Sequence, residues 1–460
     1  MQIVMLIPKE KLIKMGRYFG TDGIRGVANE GLTPEIAFKV GAYLASYFRA
    51  EGHTKIVIGK DTRLSSTLLE SALVTGISAF GGDAYTLGYT STPCLAYNAM
   101  HNDFNCGIMI SASHNPYYDN GIKVFATNGL KLDASIEAKI EDYIDGKVTL
   151  TPVTHAHIGR IYSYEEGVDN YCKWIESLYD IDLSGLKIAL DLANGSNCFT
   201  AERVMRAKGA NLTIINNQPN GLNINTNCGS THLGMLIDLM KQGNNDIGFA
   251  FDGDADRVLI VNRHGEVVDG DAIMYILAKY LRKQGLLKDD VVVTTVMSNI
   301  GLYKAFDNCD IDYEQVAVGD KNVVESMSRN GYCLGGEQSG HIINSNHCLF
   351  GDGLKTALNV LEVIVNEKQD LDELTEGLSI YPQLLVNETV KDKKIVLNDA
   401  DIKAKINEIA KELGEDGRIL VRPSGTEPLI RVMVEAKTED ICHDLVYQVI
   451  DLIKSKGYSK

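Results

Sequence analysis

The feature of this 460-residue chain that most limits its fold is a plan used three times. A β-branched apolar run ends in a polar loop, and residues at helical spacing follow. Lys55-Ile56-Val57-Ile58-Gly59 leads into Lys60-Asp61-Thr62-Arg63. Leu186-Lys187-Ile188-Ala189-Leu190 leads into Asp191-Leu192-Ala193-Asn194-Gly195, and Asp290-Val291-Val292-Val293-Thr294 into Thr295-Val296-Met297-Ser298-Asn299. Continuously apolar strands must be covered on both faces, and the intervening helices supply the cover. The plan therefore predicts three similar α/β domains with mixed, largely parallel sheets. The expected limits are 15–160, 161–265 and 266–380, after a disordered extension at 1–14. Segment 381–460 reads differently. Strand-like runs at 418–422 and 429–435 flank a loop, helical spacing follows at 438–454, and 384–390 with 399–413 complete a small α+β domain joined through Tyr381-Pro382.

A formal net charge of −16 argues against nucleic acid or an anionic membrane as the main partner. An anionic substrate then has to be met by a local cluster of Arg and Lys. The nine cysteines are odd in number and contain no Cys-x-x-Cys pair, as expected for reduced thiols in a cytoplasmic protein. No apolar run reaches membrane-spanning length. The apolar patch Ile3-Val4-Met5-Leu6-Ile7 precedes its lysines and lacks a small-residue cleavage site, so it is not a signal peptide. Translation from Met1 and from Met15 both remain open.

Asp252-Gly253-Asp254-Ala255-Asp256-Arg257 sits between two apolar runs. Alternate spacing is expected to put three carboxylates on one side of an extended segment. Such close anions repel unless a cation neutralises them, and Mg²⁺ is the hard divalent ion that suits oxygen ligands. A calcium EF-hand loop is excluded, because its obligatory Gly and Glu positions hold Arg257 and Arg263. Ser111-Ala112-Ser113-His114-Asn115-Pro116 follows an apolar strand and has no Gly-x-Ser-x-Gly elbow. A serine near a metal suits phosphoryl transfer. Arg422-Pro423-Ser424-Gly425-Thr426 gathers hydroxyls, backbone N–H groups and a guanidinium in a tight loop that suits phosphate, with Arg431 in reach. Glu337 and Ser339, inside Gly335-Gly336-Glu337-Gln338-Ser339-Gly340-His341, suit sugar hydroxyls or an amine. Arg25, in Gly20-Thr21-Asp22-Gly23-Ile24-Arg25-Gly26, and Lys123 are candidate phosphate-neutralising or proton-handling groups.

In order and wording these motifs resemble the α-D-phosphohexomutase superfamily over nearly the whole chain. They look like its branch that acts on glucosamine phosphates rather than the phosphomannomutase branch. The resemblance implies four domains around a central cleft and a phosphorylated Ser113. It implies Mg²⁺ on Asp252, Asp254, Asp256 and the Ser113 phosphate, and catalytic roles for Arg25, Lys123 and His341. Substrate contacts would come from His114, Arg257, Gly319, Asp320, Glu337 and Ser339. The idle phosphate would lie on Arg422, Ser424, Gly425, Thr426 and Arg431. The family's usual Val-Gly-Asp-Arg reads here Val318-Gly319-Asp320-Lys321, which keeps the charge but loses bidentate geometry. The implied reaction converts glucosamine 6-phosphate to glucosamine 1-phosphate through glucosamine 1,6-bisphosphate, in a monomer or homodimer. Other members' sugars, glucose or mannose phosphates, remain alternatives. So do a phosphomonoesterase, against which the second phosphate loop argues, and a silent phosphosugar sensor, against which the intact serine and aspartates argue.

Overall fold

All three β-branched runs are strands, and each is an inner strand of its own sheet. The computed structural model describes residues 16–20, 22–50, 52–424 and 428–460. The expected extension at 1–14 lies outside these. Two compact units form: one from Gly16 to Met297 with Ile311–Glu376, the other from Ser298–Asp310 and Gly377–Lys460.

The first sheet contains β1 (Phe19–Gly20), β2 (Gly23–Val27), β3 (Thr54–Lys60), β4 (Gly82–Tyr89), β5 (Cys106–Ile110), β6 (Asp119–Phe125) and β7 (Ile161–Ser163), in the order β1-β2-β6-β5-β3-β4-β7. β7 extends it past the boundary expected at residue 160, because the edge of β4 is open for parallel pairing. Strand alternation divides the core. Ile56 and Ile58 of β3 pack with Leu44, Leu73 and Ile77 from helices Pro34–Arg49 and Ser66–Ala79. Val57 points the other way, onto Leu95 and Ala99 of helix Thr92–His101. The second sheet orders β8 (Lys187–Asp191), β9 (Asn211–Ile215), β10 (Ile247–Phe251), β11 (Val258–Asn262) and β12 (Val267–Val268) as β12-β11-β10-β8-β9. The third orders β13 (Val291–Thr295), β14 (Asp312–Val316), β15 (Leu334–Gly336) and β16 (Ile342–Asn344) as β14-β13-β15-β16.

These sheets are mixed in a regular way. Parallel pairs fill one side, and an antiparallel partner joins the strand that carries each motif: β6 beside β5, β11 beside β10, β16 beside β15. An antiparallel partner can be reached by a short connection, so each motif loop is the link between two hydrogen-bonded neighbours. The serine loop joins β5 to β6, the aspartate loop β10 to β11, and the Gly-Glu-Gln-Ser-Gly-His loop β15 to β16.

The other unit repeats the device. β17 (Gln383–Thr389), β18 (Arg418–Pro423) and β19 (Leu429–Glu435) form an antiparallel sheet in the order β17-β19-β18, and the Arg-Pro-Ser loop links β18 to β19. Helices Ala400–Leu413 and Glu439–Ser455 cover it through Ile402, Ile409, Val446 and Ile450. Tyr381 is pinned rather than loose: its N–H and C=O bond to the Asn299 side chain at 3.0 and 2.9 Å.

Candidate active site

Ser113 follows β5 with φ 53°, a left-handed conformation that costs a residue bearing Cβ about 1–3 kcal/mol. Its hydroxyl is buried and donates to Asp252 Oδ2 at 2.6 Å. Its other polar neighbour, His114 Nδ1, lies 3.4 Å away and also faces Arg257 Nη1 at 3.4 Å. Burial, with Arg257 and Arg25 nearby, pushes the His114 pKa down to about 4.

The three aspartates converge, though not by strand alternation. β10 ends at Phe251, and the chain then curls: Ala255 N–H bonds back to Asp252 C=O at 3.1 Å, and Ala255 is left-handed at φ 61°. A tight turn, rather than an extended segment, brings one oxygen of each carboxylate within 4.8 Å of the others, all three residues buried. A hard divalent cation fits this donor set. Asp254 Oδ1 and Asp256 Oδ1 are buried and accept no hydrogen bond among the described residues. Burial raises the Asp252 carboxyl well above the usual range, and the Asp256 and Asp254 charges add to it.

Cations come from the first and third sheets. Lys123, on β6 and 2% exposed, donates to Asp254 Oδ2 at 2.8 Å and lies 3.2 Å from Asp22 Oδ2 and 3.8 Å from Asp256 Oδ2. Burial opposes its charge, but Asp22, Asp254 and Asp256 outweigh burial and raise its pKa. Arg25 on β2 pairs with Asp22 and reaches Asn115 Oδ1 at 3.4 Å. Lys131 bridges Asp22 Oδ1 and Asp320 Oδ2, both at 2.8 Å. Burial would raise the Asp22 pKa, yet Lys123, Lys131 and Arg25 hold it well below the usual carboxylate range. His341 Nδ1 sits 3.7 Å from Asp256 Oδ1, and against the pull of burial Asp256, Asp320 and Glu337 raise its pKa to about 9. Glu337 is buried and accepts Gly319 N–H at 2.9 Å, which ties the sugar-type loop to the start of helix Asp320–Asn330. Ser339 is exposed at the turn of its loop. Asp22, Lys123, Lys131, Asp256, Asp320, Lys321 and His341 border a cavity of about 360 Å³.

In the other unit Arg422 and Arg431 are direct cross-strand partners, with like charges opposed. Burial, and then Arg431, lowers the Arg422 pKa. Ser424 closes the β18 end of the loop through its N–H to Leu429 C=O at 2.9 Å, and Lys393 Nζ reaches Ser424 C=O at 2.8 Å. Gly425 and Thr426 lie outside the described residues.

Several residues at the site carry no role in the sequence reading: Thr92, whose Oγ1 donates to Asp254 Oδ2 at 2.6 Å, with Asp22, Lys131 and Asn225. Asp22 stands inside a singled-out motif, and its place there was the only available signal. Nothing local marks Thr92 or Lys131.

The phosphoglucomutase/phosphomannomutase family matches in all four of its domains: alpha/beta/alpha domains I, II and III at residues 16–150, 169–265 and 269–381, and the C-terminal domain at 385–452. The chain belongs to this family and is a mutase, an enzyme of the isomerase class. It is 52% identical to the phosphoglucosamine mutase of Lachnospira eligens, over 97% of this chain and 100% of that one. It is 47% identical to that of Bacillus velezensis, over 96% and 99%. A phosphoglucomutase/phosphomannomutase family protein from Burkholderia thailandensis shares the fold at TM-score 0.79 and 24% identity, over 96% of this chain and 98% of that one. The Aspergillus fumigatus N-acetylphosphoglucosamine mutase, solved with GlcNAc-6P and magnesium, shares it at TM-score 0.68 and 17% identity, over 96% of each chain.

Proposed function

We propose that the chain is a phosphoglucosamine mutase, interconverting glucosamine 6-phosphate and glucosamine 1-phosphate in the cytoplasm. The carrying observation is the 2.6 Å contact between the Ser113 hydroxyl and Asp252, inside a buried carboxylate triad flanked by Lys123 and His341. The choice of sugar rests on relatives of that name at 46–52% identity. The product suits amino-sugar nucleotide and cell-wall precursor synthesis.

Phospho-Ser113 gives its phosphoryl group to the C1 hydroxyl of the 6-phosphate. The serine oxygen regains a proton and the sugar hydroxyl loses one. The resulting glucosamine 1,6-bisphosphate turns over, and Ser113 takes the group from C6; trace bisphosphate serves as activator. Asp252, Asp254 and Asp256 would hold Mg²⁺ beside the Ser113 phosphate, and when bound it neutralises phosphoryl oxygens. Arg25, Lys123 and His341 are assigned the cationic and proton-moving work around the reacting oxygens. His114, Arg257, Gly319, Asp320, Glu337 and Ser339 are assigned to the substrate. Glu337 and Asp320 suit hydroxyl or amine groups. Arg422, Ser424, Gly425, Thr426 and Arg431 would hold the phosphate that is not reacting, because an anion relieves the opposed Arg422 and Arg431 charges. The working form is a monomer or homodimer, acting without nucleic acid or membrane. Domain limits at 15–160, 161–265, 266–380 and 381–460 remain our working division, with the first sheet running to Ser163.

The test is turnover against a panel of hexose and hexosamine phosphates with trace bisphosphate present. Glucosamine phosphate should be preferred. Preference for mannose or glucose phosphate, or release of free phosphate alone, would overturn the reading.

A further inference from the structure

The polar loop after β3, Asp61-Thr62-Arg63, has no part in the mechanism above, yet it contains the largest fully buried side chain of the described residues, Arg63. Burying a guanidinium is costly unless its donors are filled. Here Nε pairs with Asp61 Oδ2 at 2.8 Å. Nη2 donates to the carbonyls of Ser113 and Asn115 at 2.9 and 2.8 Å, and Nη1 to those of Asp119 at 3.0 Å and Pro116. One side chain thus gathers three carbonyls of the β5–β6 connection and that of the first residue of β6.

Asp61 completes the arrangement. Its Oδ2 accepts the Ser111 hydroxyl at 2.6 Å, and Ser111 Oγ in turn accepts Ser113 N–H at 3.0 Å. From the aspartate-loop domain, Asn225 Nδ2 donates to the same carbonyls of Ser113 and Asn115, at 2.8 and 3.0 Å. The Ser113 peptide is therefore held at its N–H by one chain of contacts and at its C=O by two others. Direction matters here. Cβ of a left-handed residue projects differently from that of a relaxed one, so letting Ser113 return to ordinary φ would swing Oγ off Asp252. Glycine cannot relieve the strain at this position, since the reaction needs the hydroxyl.

We propose that Asp61, Arg63 and Asn225 are positioning residues that lock the phosphate-carrying serine in its left-handed conformation and so aim Oγ at the transfer site. The proposal rests on the assignment of Ser113 as the carrier. It predicts a fault in the chemical step with substrate binding spared, because none of the three is assigned to the sugar phosphate.

The test uses the full-length enzyme and the variants Arg63→Lys, which keeps the charge but not the fork, and Asn225→Ala. Turnover is normalised both to folded enzyme, taken from the amplitude of the thermal unfolding transition, and to the phosphorylated fraction of Ser113 from intact mass, so that neither a loss of folded protein nor a loss of phosphate is read as a fall in kcat. Expected is a kcat roughly ten- to a hundredfold lower with KM within about threefold. Exchange of the amides of residues 111–115 should quicken at least about tenfold while the helix Pro34–Arg49 is unaffected. If Arg63→Lys does not fold, Asn225→Ala decides alone. Normal kcat and normal loop exchange in the folded variants overturn the proposal. A wild-type enzyme that turns over no sugar phosphate sinks the function instead, and the exchange measurement, which needs no substrate, still reads the lock.

Discussion

Thr92→Val tests whether the carboxylate triad works as a cation site. Thr92 Oγ1 donates to Asp254 Oδ2 at 2.6 Å, where Lys123 Nζ also donates at 2.8 Å, while Asp254 Oδ1 accepts nothing among the described residues. Valine matches threonine in shape, so no cavity forms, and the backbone N–H of residue 92 keeps its 3.0 Å bond to Asp254 C=O. What goes is a single hydrogen bond to a charged acceptor, worth about 1.5–3 kcal/mol. Released on one side, the carboxylate pivots toward Lys123, which competes with the cation for it. At about 1.4 kcal/mol per decade, the loss should raise the half-saturating Mg²⁺ for turnover roughly ten- to a hundredfold. At saturating Mg²⁺, kcat should return to within about threefold of wild type. A thermal melt gives a second readout: a fixed Mg²⁺ concentration should raise Tm less in the variant. Unchanged half-saturation together with an unchanged Mg²⁺-dependent Tm would refute the reasoning.

Ser113→Ala should abolish turnover while leaving Tm near wild type; intact mass should show phosphate on wild type and none on the variant. Arg422→Ala should lower kcat/KM about ten- to a hundredfold, since a charge-assisted phosphate contact is worth roughly 1.5–3 kcal/mol. It should still accept phosphate at Ser113 and release more bisphosphate, and normal kcat/KM would place the idle-phosphate site elsewhere. Asp399→Ala should weaken the carboxy-terminal unit, because Asp399 caps helix Ala400–Leu413 and bonds Tyr458 Oη at 2.8 Å. The Tyr458 hydroxyl, then the Ile402 N–H, lower its pKa to about 2. A depressed carboxyl stabilises above its unfolded pKa of about 3.9 and loses that effect as pH falls through the folded value. The Tm gap between wild type and variant should therefore hold steady from neutral pH to about pH 5 and close toward pH 2; a gap independent of pH would contradict it.

What is local in this protein could be read from its sequence. β-branched runs predicted β3, β8 and β13, because alternating or continuous burial is written residue by residue. Strands and helices of the last segment fell close to place for the same reason; that Asp399 and Thr438 cap its two long helices came from the structure. The aspartate triad was legible because its members are near neighbours in the chain. Periodicity says how deeply a strand is buried but not which strand lies beside it. So the antiparallel partners β6, β11 and β16, which turn the serine, aspartate and Gly-Glu-Gln-Ser-Gly-His motifs into links between neighbours, appeared only in the fold. Nor does a sequence say which distant group satisfies a buried charge. Thr92 meets Asp254 across 162 positions, Lys131 meets Asp320 across 189, and Arg63 meets Ser113 across 50. Each pairing exists because a polar atom excluded from water must find a partner among whatever the packed sheets bring near, and that is settled by tertiary structure alone.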